Sequence, residues 1–116
     1  MTKHNQIDLV EFPAGDAGAL RAARAFYESA FGWGFTDYGE YLDTSDSGTV
    51  AGINAVADEH QQRMPLVVIY VEDLEAAREG VTTAGGTVLH DIYAFPGGRR
   101  FHFVDPAGNE LAVWSQ

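Results

Sequence analysis

An internal repeat limits what this chain of 116 residues can fold into. Residues 20–32 (LRAARAFYESAFG) and residues 74–86 (LEAAREGVTTAGG) align without a gap and are identical at six of thirteen positions. The identical pairs are Leu20/Leu74, Ala22/Ala76, Ala23/Ala77, Arg24/Arg78, Ala30/Ala84 and Gly32/Gly86. Such a repeat predicts two equivalent modules that form one body, with a cleft between them where function is expected.

Each copy of the repeat has the apolar periodicity of a helix, and strand-like segments surround it. Asp16 and Asp73 are the expected N-caps, because an Asp carboxylate accepts hydrogen bonds from the exposed N–H groups of a first turn. The inward faces are predicted to carry Leu20, Ala23, Tyr27 and Ala30 in the first helix, and Leu74, Ala77, Val81 and Ala84 in the second. The predicted strands are 7–12, 34–37, 41–44 and 49–54, then 66–71, 87–93, 99–104 and 110–114.

The predicted order is therefore βαβββ, twice. Two separate domains of about 55 residues would each be marginally stable, so the chain is expected to form a single domain, 1–116. Module one covers about 5–56, a polar linker covers 57–63, and module two covers about 64–116.

Composition excludes several classes of protein. The absence of cysteine excludes disulfides and thiolate metal sites and favours a reducing compartment. With a net charge of −10 and only seven Lys and Arg residues, the chain is not expected to bind nucleic acid. The longest apolar run, 64–71, is too short to cross a bilayer, so a soluble, cytoplasmic protein is expected. The acidity either maintains solubility or attracts a cationic ligand.

Two motifs identify a family resemblance. The first helix ends in Phe26-Tyr27 and Phe31-Gly32-Trp33, and residues 100–111 read RFHFVDPAGNEL. With these motifs the chain resembles the vicinal oxygen chelate superfamily, which includes glyoxalases, extradiol dioxygenases, fosfomycin-resistance transferases and bleomycin-resistance proteins. The resemblance covers about 7–114. It implies an α+β fold of paired βαβββ modules around a U-shaped cleft, and a homodimer, but it does not specify an activity.

The resemblance also implies where a metal would bind. Enzymes of the superfamily hold a divalent ion with His and Glu (sometimes Gln) side chains from four strands, and three of these positions are Leu9, Leu66 and Ala112 here. The fourth lies within 51–54, where only Asn54 has a side-chain oxygen. Alkyl side chains donate no electron pair to a metal, so neither a metal at the usual positions nor any cofactor is expected. His4, His60 and His90 are scattered along the sequence and show no metal-binding spacing.

The last hairpin carries the remaining candidate residues. If its strands pair symmetrically about Ala107, His102 lies opposite Ala112 and Arg100 lies opposite Trp114. Side chains alternate between the faces of a strand, so Arg100, His102, Glu110, Ala112 and Trp114 would share one face. The alternative is a His102 that faces outward among solvated neighbours. Asp105 and Asn109 are expected to stabilise the turn between the strands.

Two sets of candidate site residues follow. His102 and Glu110 are the catalytic candidates, because His titrates near neutral pH and a carboxylate can accept or donate a proton. The ligand-binding candidates are Arg100, His102, Trp114, Tyr41 and Asn54.

Three hypotheses about function remain open. The first is a metal-free protein that sequesters or carries a small molecule, with a cationic or aromatic ligand. The alternative is a lyase, isomerase or dioxygenase with a relocated metal or with a metal-independent site built on His102 and Glu110. The third is a structural or regulatory module whose cleft is filled by side chains such as Leu9, Leu66 and Ala112.

Overall fold

The computed structural model describes residues 2–116, which divide into two compact units. The first unit comprises residues 9–65, and the second unit comprises residues 2–8 together with 66–116. Neither helix of the described residues is long and apolar enough to cross a membrane.

The first unit contains one helix and a four-stranded arrangement. Its elements are β1 (Gln6–Pro13, whose first three residues belong to the second unit), α1 (Ala17–Phe31), β2 (Thr36–Asp37), β3 (Tyr41–Thr44) and β4 (Ala51–Asn54). The strands lie in the order β2-β3-β4-β1, with β1 parallel to β4 and the other pairs antiparallel. As predicted, Asp16 caps α1, its Oδ1 accepting from the Ala19 N–H at 2.8 Å. Gly32 ends the helix in the left-handed conformation, with φ 72°.

The second unit repeats this topology. Its elements are β5 (Leu66–Tyr70), α2 (Leu74–Thr83), β6 (Thr87–Phe95), β7 (Gly98–Val104) and β8 (Glu110–Ser115). The strands lie in the order β6-β7-β8-β5, with β5 parallel to β8. Asp73 caps α2 through the Ala76 N–H, at 3.0 Å. The predicted pair of βαβββ modules is therefore confirmed.

Each helix packs on its own sheet through a buried leucine. Leu20 joins a core cluster with Leu42 and Ile53, and Leu74 joins another with Phe101 and Val113. The predicted inward faces are correct for the first three positions of each helix, Leu20, Ala23 and Tyr27, and Leu74, Ala77 and Val81. They are wrong for Ala30 and Ala84, which are exposed because each lies where its helix ends, beyond the core cluster.

Two predicted strands begin later than expected. The strands predicted at 34–37 and 49–54 start at Thr36 and Ala51. Gly34 lies outside β2 because its N–H donates to the Asp46 side chain, at 2.8 Å, and not to a neighbouring strand. β6 is longer than predicted and ends at Phe95.

Candidate functional site

The last hairpin pairs in the predicted register. His102 lies opposite Ala112 and Arg100 lies opposite Trp114. Asp105 holds the turn, its Oδ1 accepting from the N–H groups of Ala107 and Asn109 at 2.8 and 2.9 Å. Hydrogen bonds from Asn109 to the Asp105 carboxylate lower the pKa of that group. The expected role of the two turn residues is confirmed.

His102 is not the solvated strand residue of the alternative hypothesis, because its side chain is 0% exposed. It is fully buried, yet it carries a polar ring. Among the described residues, every buried side-chain nitrogen and oxygen has a hydrogen-bond partner. Burial of a polar ring is tolerated only with such partners, so the groups around His102 define the candidate site.

The neighbouring strand β6 supplies two of these groups through irregular pairing. Val88 lies opposite Phe103, His90 lies opposite His102, and Tyr93 lies opposite Arg100. The register shifts between Val88 and His90, and again between His90 and Tyr93. Each shift is a β-bulge or similar irregularity, and a bulge moves the following side chains to the other face of the strand.

We use the name His102 cluster for the five residues His90, Tyr93, Arg100, His102 and Glu110. His102 Nδ1 lies 3.1 Å from Glu110 Oε2, and His102 Nε2 lies 2.6 Å from the Tyr93 hydroxyl. Arg100 Nε donates to the same hydroxyl at 2.7 Å. The His90 ring stands nearly perpendicular to that of His102, with 4.9 Å between centroids. The two catalytic candidates, His102 and Glu110, are therefore brought together, and Arg100 joins them through Tyr93.

The His102 cluster is buried at its centre and open at its edges. His90, Tyr93, Arg100 and Glu110 are each partly exposed, and the Glu110 side chain keeps 29% of its surface. The Arg100 guanidinium lies over the rings of Tyr93 and Phe95, at 5.8 and 5.7 Å from their centroids. The arrangement thus sets a carboxylate, an imidazole, a phenol and a guanidinium, each partly exposed, around the buried imidazole of His102.

Trp114 lies on the same face of the hairpin and has a separate partner. Its indole N–H donates to the Asp8 carboxylate, at 3.0 and 3.2 Å from the two oxygens. The centroid of its ring lies 5.1 Å from that of Tyr70 and 6.2 Å from that of Phe95. Phe95 therefore contacts both Trp114 and the Arg100 guanidinium, and these three side chains form an aromatic and cationic surface beside the His102 cluster.

The other two ligand-binding candidates meet in the first unit. The Tyr41 hydroxyl and the Asn54 amide both donate to the Glu11 carboxylate, at 3.1 and 3.3 Å. Glu11 is only 5% exposed, so these bonds stabilise a buried charge. Tyr41 reaches Glu11 by lying across Gly52, where any side chain would collide with the phenol. Tyr41 and Asn54 thus belong to a hydrogen-bond network of the first unit, whereas the five residues of the His102 cluster belong to the second unit.

The metal positions implied by the resemblance do not fit a metal. Leu66 and Ala112 are buried and Leu9 is partly buried, and none of the three has a donor atom. In the 51–54 segment, Asn54 uses its amide on Glu11 and on the Val56 N–H. His90, which has no metal-binding spacing to the other histidines in the sequence, lies close to His102 in the structure. Together with Glu110 they offer three ligating atoms that all lie within 4.8 Å of one another.

Sequence reasoning does not bring His90 and Tyr93 to the site, or Glu11 to Tyr41. The positions of His90 and Tyr93 depend on the bulges of β6, and segment 87–95 contains no Gly or Pro that would mark them. Glu11 and Tyr41 are 30 residues apart, so their contact depends on strand pairing and not on a local motif.

Comparison with known proteins places the chain in a family. Residues 14–114 match the model of the glyoxalase-like domain. CFP32 of Mycobacterium bovis is 31% identical over 104 residues, which cover 80% of this chain and 40% of that protein. The chain therefore spans about two fifths of this mycobacterial relative. A glyoxylase-like domain-containing protein of Didymella fabae is also 31% identical, covering 97% of this chain and 95% of its own length.

Solved structures agree at the level of the fold. A glyoxalase/bleomycin resistance protein/dioxygenase superfamily member from Vibrio splendidus 12B01 superposes with a TM-score of 0.70 at 12% identity. The match covers 93% of this chain and 97% of that one. Family model, relatives and fold agree, and this chain belongs to the glyoxalase-like family of the vicinal oxygen chelate superfamily.

Proposed function

We propose that this glyoxalase-like protein binds a small organic molecule at the His102 cluster, sequestering or carrying it without a metal at the family's usual positions. The observation that carries the proposal is the hydrogen-bonded series Glu110, His102, Tyr93 and Arg100, buried at its centre and reachable at its edges. A few polar groups fixed in this way, beside aromatic side chains, are what small-molecule sites provide.

The local charges favour a ligand with an acceptor group. The net charge of −10 would attract a cation, but charges farther away than about 8 Å are largely screened at physiological ionic strength. Within the cluster the one fixed positive charge is the Arg100 guanidinium, beside the Glu110 carboxylate, and the neighbouring Asp8 carboxylate is bonded to Trp114. Phe95 and Trp114 offer flat apolar surfaces. We therefore favour an aromatic ligand with a carboxylate or carbonyl group over the cationic ligand that the net charge alone suggests.

A fluorescence titration tests the proposal. The chain has two tryptophans, and a Trp33→Phe variant leaves Trp114 as the only indole. Phenylalanine keeps an aromatic ring against Tyr27, on which Trp33 stacks at 5.0 Å in the wild type. Benzoate is expected to change Trp114 emission in a saturable way, with benzylamine weaker at the same concentration.

A matched pair of arginine variants separates the cluster from general charge effects. Arg100→Gln in the Trp33→Phe background is expected to weaken benzoate binding, and Arg21→Gln, at an exposed site on α1, is expected to leave it unchanged. The proposal would be contradicted if neither benzoate nor benzylamine shows binding at concentrations up to about 1 mM. A Kd of about 1 mM corresponds to a binding free energy of only about −4 kcal/mol. Equal effects of the two variants would contradict it as well.

An enzyme is the second candidate, and one observation favours it. Glu110, His102 and the Tyr93 hydroxyl form a carboxylate–imidazole–hydroxyl series, which can move a proton between the partly exposed Tyr93 and Glu110. This hypothesis expects the protein to accelerate deuterium exchange at the acidic methylene of phenylpyruvate in D₂O. Tyr93→Phe should remove the acceleration, and an exchange rate equal to that of buffer would exclude this reaction.

The homodimer and the cytoplasmic location remain proposals. Light scattering tests the first, since a dimer has twice the 12.6 kDa mass of one chain. A structural module with a filled cleft would show no saturable binding of any probe.

A further inference from the structure

We propose that His90, His102 and Glu110 form a binding site for a divalent first-row transition-metal ion, with Zn²⁺ as its probe. The site uses none of the family's usual metal positions, and it goes beyond the proposed function because its test uses the ion alone, with no organic ligand present.

The distances between the ligating atoms suit such an ion. The three atoms all lie within 4.8 Å of one another, and His102 Nδ1 lies 3.1 Å from Glu110 Oε2. Bonds of about 2.0–2.1 Å to a tetrahedral ion place neighbouring ligand atoms about 3.3 Å apart. The His102–Glu110 pair is therefore already at coordination distance. His90 and Glu110 are partly exposed, so their side chains can rotate by the small amount needed to complete the set.

The chemistry of the three donors selects the class of metal. Two imidazole nitrogens and one carboxylate oxygen suit zinc, nickel, cobalt and iron, whereas Mg²⁺ and Ca²⁺ prefer sites made of oxygen ligands alone. Three protein ligands leave at least one coordination position for water or another ligand. The set also spans three adjacent strands, β6, β7 and β8, whose pairing holds the backbone positions of the ligands.

The surroundings of His102 support coordination through Nδ1. A metal-binding histidine usually makes a hydrogen bond with its second ring nitrogen, which fixes the tautomer and the ring orientation. Here that nitrogen, Nε2, lies 2.6 Å from the Tyr93 hydroxyl. With Nδ1 on the ion, Nε2 carries the proton and donates it to the Tyr93 oxygen, which also accepts from Arg100 Nε. Tyr93 thus acts as a positioning residue for His102.

The two bulges of β6 determine that His90 faces His102. A regular β6 would place His90 on the same face as Val88 and Ile92, which pack against the core cluster of Leu74 and Phe101. The two register shifts around His90 place it opposite His102 instead. Bulges that re-aim a side chain in this way are common beside functional sites.

The test is a metal titration of the whole chain after treatment with EDTA. Calorimetry with Zn²⁺ measures stoichiometry and affinity, and Co²⁺ provides a visible absorption spectrum that reports imidazole and carboxylate coordination. The main variants are His90→Ala and Glu110→Gln, because both side chains are partly exposed and their loss leaves the core intact. His102→Ala is unsuitable as the main variant, since it removes a fully buried side chain.

His60→Ala is the matched control. His60 also lies near two carboxylates, with its ring nitrogens 3.8 Å from oxygens of Asp58 and Glu59, but it belongs to the first unit and is not one of the three proposed ligands. We expect one ion per chain in the wild type and in His60→Ala, and an affinity at least about tenfold lower in His90→Ala and Glu110→Gln. Circular dichroism verifies that each variant is folded.

Three results would overturn the proposal. The first is a folded wild type that binds neither Zn²⁺ nor Co²⁺. The second is an affinity that stays unchanged in both His90→Ala and Glu110→Gln. The third is loss of binding in His60→Ala, which would place the ion on the exposed acidic segment.

Discussion

His90 and Tyr93 face the same side of β6 although they are three residues apart. A regular strand would place residues at this spacing on opposite faces. The register shift between them pairs His90 with His102 and Tyr93 with Arg100, so both side chains reach His102. The two irregularities of β6 therefore assemble two of the five members of the His102 cluster.

Removal of the Tyr93 hydroxyl should destabilise the protein. In Tyr93→Phe, His102 Nε2 and Arg100 Nε lose the oxygen that lies 2.6 and 2.7 Å from them. A buried polar atom left without its partner costs about 1–3 kcal/mol, so unfolding in urea should begin at a lower concentration. Tyr38→Phe, at a residue 63% exposed, is the control and should have little effect. Equal stability of the two variants would mean that the Tyr93 bonds contribute nothing.

A side chain at Gly52 should disrupt the Glu11 network. The Cβ of Gly52→Ala would collide with the Tyr41 phenol, which must then leave Glu11. Crowding of this kind costs about 1–3 kcal/mol, and the loss should appear as a lower free energy of unfolding. A crystal structure of the variant with Tyr41 still bonded to Glu11 would refute the explanation.

The opposite effect is expected at Gly80. This glycine lies inside α2, and a Cβ there would meet no atom within 4 Å. Gly80→Ala should therefore raise the free energy of unfolding by up to about 1 kcal/mol, since alanine favours the helix more than glycine does. Unchanged or lower stability would show that α2 has an interaction at this position that the geometry does not explain.

The Glu75–Arg99 ion pair should make a contribution that depends on pH. The Arg99 side chain, which donates at 2.6 and 3.1 Å, lowers the pKa of Glu75 from 4.5 to about 2. Because the folded pKa is below the unfolded one, the stabilisation is fully present above pH 4.5 and is lost as the pH falls through about 2. The pair is exposed, so its effect is small and decreases with salt.

Carboxyl carbon NMR measures this pKa directly. Glu75 should titrate near pH 2 in the wild type and closer to its ordinary value in Arg99→Gln, where the hydrogen bonds and the charge are lost. A Glu75 that titrates at the same pH in both proteins would contradict the assignment of the shift to Arg99.

The sequence predicts the fold well where local signals define it. The repeated helices were found from their periodicity and from Asp16 and Asp73, and the pairing of His102 with Ala112 followed from a turn anchored by Asp105. The site was predicted in part. His102, Glu110 and Arg100 lie on regular strands, so alternation places them correctly.

The rest of the site depends on interactions that no local sequence pattern indicates. Val88 and Ile92 both pack against the core, whereas His90 between them faces His102, and the bulges of β6 allow this change of face. The partners of Tyr41 and Asn54 depend on the pairing of β1, β3 and β4, whose residues are distant in sequence. Alternation alone therefore left His90 and Tyr93 out of the site.

The central claim is that the His102 cluster is the functional site of this glyoxalase-like protein. The most direct measurement is a long-range ¹H–¹⁵N spectrum of the histidine ring nitrogens, recorded before and after addition of benzoate and, separately, of Zn²⁺. The account predicts that His90 and His102 signals shift with each addition while those of His60 stay in place. Signals of His90 and His102 that respond to neither addition would contradict it.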